Sequence, residues 1–380
     1  MKICFLSSMH PATDKRVHYK EAVSLVKNGF NVSHICPDKD GDRVIDGVRV
    51  ITYTGKRSIA GRLAQLGLIY KRAKQENADV YHCNEVDSWM VGVALKIATR
   101  KKIVFDSHEI PSHDFAETRF PRPLRPFVVL ALRVLFRLML PFTDRLVLAK
   151  RSADLDFRNT AVNKTLVQNF SEVPENIPQK IHTDGHDITI VHLGAINKMR
   201  GWKQMLDALA LTKNTSVRLR VIGQFGDNSE DEFLAYVKEK QLEHRVVFER
   251  WIPYSEVQKA LGACDIGIIL FQPVMYSFTH ALPHKMFDYM LAGLPIIVPD
   301  FAVEVAEITN ESKAGILVSP TDPQKVADVI DTLASSADLR NEYGSNGRNA
   351  VIATYNWGQE EKRLVAMYES LKGNASCQAR

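Results

Sequence analysis

Short β-prone apolar runs alternate with segments of helical period through most of this chain, the pattern that a series of βαβ units requires. In the first half, Lys2–Ser7, Asn31–Cys36, Val48–Thr52, Val80–Cys83, Lys102–Asp106 and Arg145–Ala149 are predicted strands. A second series restarts with Asp187–Leu193, Val217–Gly223, Val246–Phe248, Ile266–Phe271, Pro295–Val298 and Gly315–Val318. The repetition predicts an α/β chain with two doubly wound sheets. Between them, Ser171–Asp187 is polar, carries two prolines and one glycine, and has no apolar period, which is linker composition. The expected boundary lies near Asn169 to Gly185, giving domains at 1–170 and 171–355. After Val318 the pattern is wholly helical, over Asp322–Ser336, Ala337–Ala353 and Asn356–Leu371, and the stretch 356–380 is a candidate to pack back onto the first domain.

The most informative stretch is His280–Val298. Pro283 suits the first turn of a helix, where its missing N–H costs no hydrogen bond, and Met286, Phe287, Met290 and Leu291 then form one apolar stripe. Gly293 ends that helix, and Leu294–Val298 reads as a buried strand. His280, His284 and Lys285 stand at the helix N-terminus with Asp288 one turn in. That order offers cations and free N–H groups to a phosphate, then a carboxylate to hydroxyls.

Bulk properties narrow the setting. A chain of 380 residues that is 45% hydrophobic can build two cores, since single cores split beyond roughly 250 to 300 residues. A net charge of +5 suits anionic small molecules or anionic lipid and is too small to argue for nucleic acid. Cys4, Cys36, Cys83, Cys264 and Cys377 are scattered with no CxxC pair, which argues against a disulfide framework or a structural metal and fits the cytosol. The opening MKICFLSSMH reads as a first buried strand rather than a signal peptide.

Further chemistry gathers at predicted strand ends. Gly194 follows a strand, and Arg200-Gly201 precede a helix from Trp202. This suits a phosphate loop in which Arg200 forks onto a diphosphate; the alternative is an ordinary βα turn with a solvated arginine. Gly223, in VIGQFG, repeats the strand-then-glycine design, and Arg250-Trp251 could frame a nucleobase or simply pack a loop. In the first half, Asp106, Ser107, His108 and Glu109 crowd one strand end. His82, Asn84, Glu85 and Asp87 do so one strand earlier, with Asp87 equally readable as a helix cap. His10, Asp14 and Arg16 follow the first strand, Asp14 again a candidate cap. Arg119, Arg122, Arg125, Arg133 and Arg137 interleave with an apolar run from Phe127 to Phe142. As a helix it places Arg133 and Arg137 on one face opposite a broad apolar surface, fit for a membrane interface or for partial burial, and it is too short to span. No Gly-x-Ser-x-Gly elbow, Walker loop, HExxH or aspartate cluster occurs.

Taken in order, HPATDKRVHYKEAVSLVKNGFNV, VFDSHE, RGWKQMLDAL, VIGQFG, VVFERWIP, CDIGIIL, PHKMFDYMLAGLPIIV, AGILVSPTDPQKVADVI and the late YNW with Tyr368 resemble the retaining GT-B glycosyltransferases of family 4, or group 1, along nearly the whole chain. The resemblance implies two Rossmann-like domains facing a cleft, an N-terminal acceptor side and a C-terminal nucleotide-sugar side. Gly194 and Arg200 would face the donor diphosphate, with Lys285 and the helix start after Pro283 supporting it. Asp288 would accept from ribose hydroxyls, and His108 would sit beside the transferring sugar as the catalytic-side residue. Gly223, Arg250, Trp251 and His280 complete the donor set, and Asp14, Arg16 and Glu109 the acceptor side. Many members carry glutamates where this chain has His280 and Asp288, an arginine where it has Ala195, and a lysine where it has Arg200. The implied activity is retaining transfer of a hexose-type sugar from a nucleotide-sugar donor to a lipid-linked or polysaccharide acceptor, as in lipopolysaccharide or capsule synthesis. No metal or other cofactor is implied. The expected location is cytoplasmic, peripheral on the inner face of the membrane, with no nucleic-acid partner. Two other readings stay open, a GT-B nucleotide-sugar epimerase and a non-catalytic sugar-nucleotide-binding protein.

Overall fold

Side chains alternate between two cores along the first strand, where Ile3 and Phe5 face one side and Cys4 and Leu6 the other, all four fully enclosed. Such a strand needs cover on both faces, which helices of a parallel sheet provide. The computed structural model describes residues 1–56, 58–177 and 187–373. Residues 178–186 of the expected linker, and 374–380 with Cys377, lie outside the described residues. The chain divides into two compact units, Met1–Asn169 with the segment from Trp357 onward, and Phe170–Asn356.

The first unit holds strands β1 (Lys2–Leu6), β2 (Asn31–Pro37), β3 (Arg43–Ile45), β4 (Val48–Tyr53), β5 (Val80–Cys83), β6 (Lys102–Ser107), β7 (Arg145–Leu148) and β8 (Lys164–Leu166). They form one sheet in the order β3-β4-β2-β1-β5-β6-β7-β8. All neighbours are parallel except β3 and β4. That pair is a hairpin closed by Asp46 and Gly47 at φ 49° and 81°, the left-handed conformations that a two-residue turn between twisted strands demands. Neither β3 nor β8 follows from the hydrophobic pattern, because each is a three-residue edge strand.

The second unit holds β9 (Thr189–Leu193), β10 (Arg218–Ile222), β11 (Val246–Glu249), β12 (Ile266–Ile268), β13 (Ile296–Pro299) and β14 (Gly315–Val318), all parallel in the order β11-β10-β9-β12-β13-β14. The run expected as a strand to Phe271 pairs only to Ile268. Beyond it the chain bends so that the Leu270 carbonyl packs against Gly201, where a Cβ would collide with it.

The C-terminal helix Trp357–Gly373 returns to the first unit, covering the sheet face built from Ile3, Phe5, Val80, Val104 and Val147. Trp357 donates from Nε1 to Ser24 Oγ at 3.0 Å, and Glu360 accepts from the Gln168 amide at 3.0 Å. On the opposite face Trp89 stacks on Phe105 at 4.1 Å between ring centroids.

The helix Arg125–Met139 corrects one expectation. It buries Val129, Phe136 and Met139, yet leaves Phe127, Leu130, Val134 and Leu138 exposed at 71%, 63%, 50% and 66%. The helix is therefore apolar on two sides. Arg133 does not line a polar face opposite them but turns inward, donating to Asp156 at 3.0 Å. No described helix is long and apolar enough to cross a membrane.

Replacing Trp357 by Ala opens a cavity under the returning helix and is expected to destabilise the first unit by about 3–5 kcal/mol. Urea unfolding followed by tryptophan fluorescence in a Trp202→Phe, Trp251→Phe background, where Trp89 of the same unit is the remaining reporter, measures it.

Candidate functional site

In the second sheet the chain runs from β9 outward through β10 and β11, then returns to the other side of β9 with β12. The C-terminal end of β9 is thus a switch point, where open α/β sheets place ligands. Gly194 follows β9 at φ 91° and donates its N–H to the Ile222 carbonyl at 2.7 Å. Gly223 packs directly on it; a Cβ there would overlap the Gly194 carbonyl. The two glycines therefore keep this loop bare of side chains. The turn Lys198–Arg200 follows, capped by the Asn197 side chain, which accepts from the Arg200 amide at 2.8 Å. Gly201, at φ 80°, then redirects the chain into the helix Trp202–Leu211.

Lys285 reaches this loop from the helix His284–Leu291, close enough that a Cβ on Gly194 would lie 3.9 Å from its Nζ. The same Nζ is 3.2 Å from Nε2 of His192 on β9. Burial, then the Arg200 charge, push the Lys285 ammonium well below its usual pKa, and burial alone lowers Arg200. Neither cation has a carboxylate ion-pair partner among the described residues. His192, enclosed beside them, is held neutral by burial and by the Lys285 charge.

Asp288, expected to accept from ribose hydroxyls, is engaged by protein partners. It is buried, and its Oδ1 accepts from Ser171 Oγ at 2.7 Å and Tyr254 OH at 3.0 Å, while Oδ2 lies 3.0 Å from Nδ1 of His284. Its carboxylate ties β-sheet helix, entry segment and the helix Tyr254–Gly262 together. Pro283 is the extended residue before the helix rather than part of its first turn. His280 ends the short helix Tyr276–Thr279 with its ring 4.8 Å from Tyr276. Arg250 is exposed and paired with Glu230 at 2.7 Å, and Trp251 is exposed beside it.

In the first unit β1 and β5 flank the switch point. The Glu85 carboxylate accepts from the amides of Ser8, Met9 and His10 at 2.9, 2.8 and 3.2 Å, pinning the loop after β1. Glu85, not Asp87, is the cap of the helix Val86–Thr99; Asp87 sits in its first turn and pairs with Arg62 at 2.7 Å. Asp14 does cap the wide helical segment Lys15–Ala22, accepting from the amides of Arg16 and Val17. Its other oxygen lies 3.0 Å from Nδ1 of His10, whose ring is 4.8 Å from that of His108. His108 Nε2 is 2.9 Å from Asp106. Arg16, expected on the acceptor side, is buried; it contacts Glu21 at 2.8 Å, Asp106 at 3.2 Å and the Val167 carbonyl at 2.9 Å. Glu109 is exposed and paired with Lys150.

Sequence reasoning missed His192, Ser171, Tyr254 and Glu21, and gave His82 no role. A histidine inside the apolar run TIVHLG and a glutamate inside the apolar helix KEAVSL were the available signals. Ligand atoms of Glu21, His82 and Asp106 lie within 4.8 Å of one another, but Arg16 already sits against both carboxylates with a cation of its own.

Two doubly wound parallel sheets of this topology define a GT-B protein, and solved structures share the fold. Sucrose-phosphate synthase from Thermosynechococcus elongatus superposes with TM-score 0.77 at 16% identity over 98% of this chain and 100% of that one. HepE of Anabaena, solved in complex with UDP and glucose, gives 0.72 at 16% identity over 97% and 100%. The profile described as Glycosyl transferases group 1 matches residues 173–350, and that of Glycosyltransferase Family 4 matches residues 16–154. The chain belongs to the group 1, or family 4, glycosyltransferases. A chitobiosyldiphosphodolichol beta-mannosyltransferase of Yarrowia lipolytica is 28% identical over 165 residues, 42% of this chain and 34% of that one. The chain spans 34% to 48% of the length of the curated relatives that it matches first.

The His10–Asp14 pair sets a pH dependence. Burial disfavours the protonated ring, but the Asp14 hydrogen bond and the Glu85 charge outweigh it and raise the His10 pKa above 6.5. The pair's stabilisation is therefore complete below the unfolded-state pKa and is lost as pH rises through the higher folded value. In Asp14→Asn the His10 titration, followed by NMR, is expected to move down, with the cap retained because Asn also accepts from the amides.

Proposed function

We propose that this protein transfers a hexose-type sugar, with retention of anomeric configuration, from a nucleotide-diphosphate donor to a lipid-linked or polysaccharide acceptor. The observation that carries the reading is the pair Arg200 and Lys285, two desolvated basic groups converging on a glycine-lined loop with no carboxylate at ion-pair distance among the described residues. A diphosphate is the ligand that such a site lacks. Departure of a nucleoside diphosphate builds charge on its leaving oxygen, and preorganised cations that wait there stabilise that charge more than the ground state. In a front-face reaction the same oxygen takes the acceptor proton, so no protein base is required on the far side of the sugar, and the two cations fill the role a metal would have. HepE, of the same fold, is described with UDP and glucose, and the Yarrowia relative is named for a diphosphodolichol-linked acceptor. The first supports a nucleotide-sugar donor, the second a lipid-diphosphate acceptor.

The peripheral membrane reading rests on the helix Arg125–Met139. Its stripe Phe127, Leu130, Val134 and Leu138 faces outward with Arg122 and Arg137 beside it, the composition of a helix lying in an anionic interface. A cavity of about 380 Å³ lined by Ala116, Arg125, Pro126, Val129, Leu130 and Arg133 adjoins the stripe. The protein is placed on the inner membrane face by this reading, where lipid-linked acceptors and soluble nucleotide sugars meet.

Three outcomes test these statements. Arg200→Ala and Lys285→Ala are each expected to weaken UDP binding by tenfold or more, about 1.4 kcal/mol, in calorimetry, with the fold retained; unchanged affinity in both rejects the donor site. Because Lys285 is depressed in the free protein and a diphosphate raises it, UDP binding is expected to take up protons and to weaken as pH rises between the two values. Calorimetry in buffers of differing ionisation enthalpy reads the uptake, and Lys285→Ala removes it. Leu130→Glu with Leu138→Glu is expected to release the protein from phosphatidylglycerol vesicles, and identical sedimentation with vesicles rejects membrane docking. The anomeric proton coupling of the product, with EDTA present, decides retention and metal independence together.

A further inference from the structure

Beneath His108 lies a set of buried ionisable groups that no step above uses. The guanidinium of Arg16 lies 2.8 Å from Glu21 and 3.2 Å from Asp106. His82 Nε2 lies 3.6 Å from an oxygen of each carboxylate, and its Nδ1 is 2.6 Å from the hydroxyl of Tyr368 on the C-terminal helix. All are enclosed; the largest exposure among them is the 5% of Arg16. The groups facing the two carboxylates are thus Arg16 from their own side of the sheet, His82 from β5, His108 after β6 and Tyr368 from the returning helix, with His10, Asp14 and Glu360 farther out.

One cation cannot neutralise two carboxylates. Enclosed like charges this close repel strongly, so the arrangement is satisfied when one carboxyl keeps its proton. Which one keeps it follows from partners. Asp106 accepts from Arg16 and has His108 Nε2 at 2.9 Å, whereas Glu21 has the Arg16 guanidinium at 2.8 Å and, beyond it, the Asp106 carboxyl with which it shares a hydrogen bond. We propose that Asp106 is the positioning residue of His108: as the charged member of the pair it holds the proton on His108 Nε2, so that Nδ1 presents a lone pair, while Glu21 stores the pair's proton as a neutral acid.

The electrostatic tendencies agree. Burial works against the Asp106 charge, yet Arg16 and His108 hold its carboxyl well below the ordinary range, while burial, against Arg16 and aided by Asp106, pushes Glu21 well above it. The half-buried His108 ring has no hydrogen-bond partner on Nδ1 among the described residues. An imidazole fixed this way accepts a hydrogen bond from a sugar hydroxyl instead of donating one. That consequence rests on the proposed transfer reaction; the tautomer itself does not.

Long-range ¹H–¹⁵N NMR of the imidazole nitrogens in the full chain reads the tautomer without any substrate. Wild type is expected to show His108 protonated on Nε2 when neutral, and Asp106→Asn to lose that preference. Glu21→Gln, which mimics a neutral acid, is expected to leave the His108 pattern unchanged and to remove the infrared carbonyl band of a buried protonated carboxyl at neutral pH. An Nδ1-protonated wild-type ring, an unchanged pattern in Asp106→Asn, or a shifted one in Glu21→Gln each overturns the proposal. The wild-type spectra and the Glu21→Gln band suffice if Asp106→Asn fails to fold. With transfer established, Asp106→Asn is expected to lower kcat about 10–100-fold with the donor KM unchanged, and a fall in donor affinity instead would mark Asp106 as merely structural.

Discussion

The second unit is organised around two basic side chains, Arg200 and Lys285, that have no carboxylate at ion-pair distance among the described residues. Holding Arg200 and Lys285 together in a desolvated loop costs stability, and the surrounding structure is arranged to tolerate it. The facing glycines remove side chains that would fill the space, Asn197 and Gly201 fix the turn carrying Arg200, and the neutral ring of His192 adds no further charge. Asp288, a carboxylate one turn from Lys285, would cancel the cation if it swung toward it. Ser171, Tyr254 and His284 hold it elsewhere. Asp288 is thus kept from pairing with Lys285 by its own hydrogen-bond partners.

The first unit solves the opposite problem. Its buried charges at the strand ends are engaged: Glu85 gathers three backbone amides, Asp14 a cap and a histidine, Arg16 two acids and a carbonyl. Buried networks of this kind fix geometry more than they add stability, since each ion also loses its water. The outcome is a pair of rings, His10 and His108, whose orientations are dictated from below.

Much of this was legible in the residues themselves. The twelve main strands, the helix at Met286 to Leu291 and the stop at Gly293 follow from period and punctuation, because parallel strands and amphipathic helices declare themselves locally. The hairpin at Asp46-Gly47 carried its turn signal, yet its strand is too short to show alternation. Lys285 and Gly194, singled out because phosphate chemistry favours those residue types, are brought next to each other by the fold. The inward fate of Arg16 and Asp288 was not, since a sequence shows that a side chain is charged but not which neighbours from distant segments, Asp106 or Ser171, will meet it.

The return of the helix Trp357–Gly373 to the first unit has a bearing on how the chain is made. The β-sheet begun by Lys2 lacks one of its covers until Trp357, Leu364 and Tyr368 have been synthesised, so Phe5 and Val104 wait uncovered while Phe170–Asn356 emerges and folds. On the ribosome the second unit is therefore an insertion completed inside an unfinished host, and the half begun first is the half closed last.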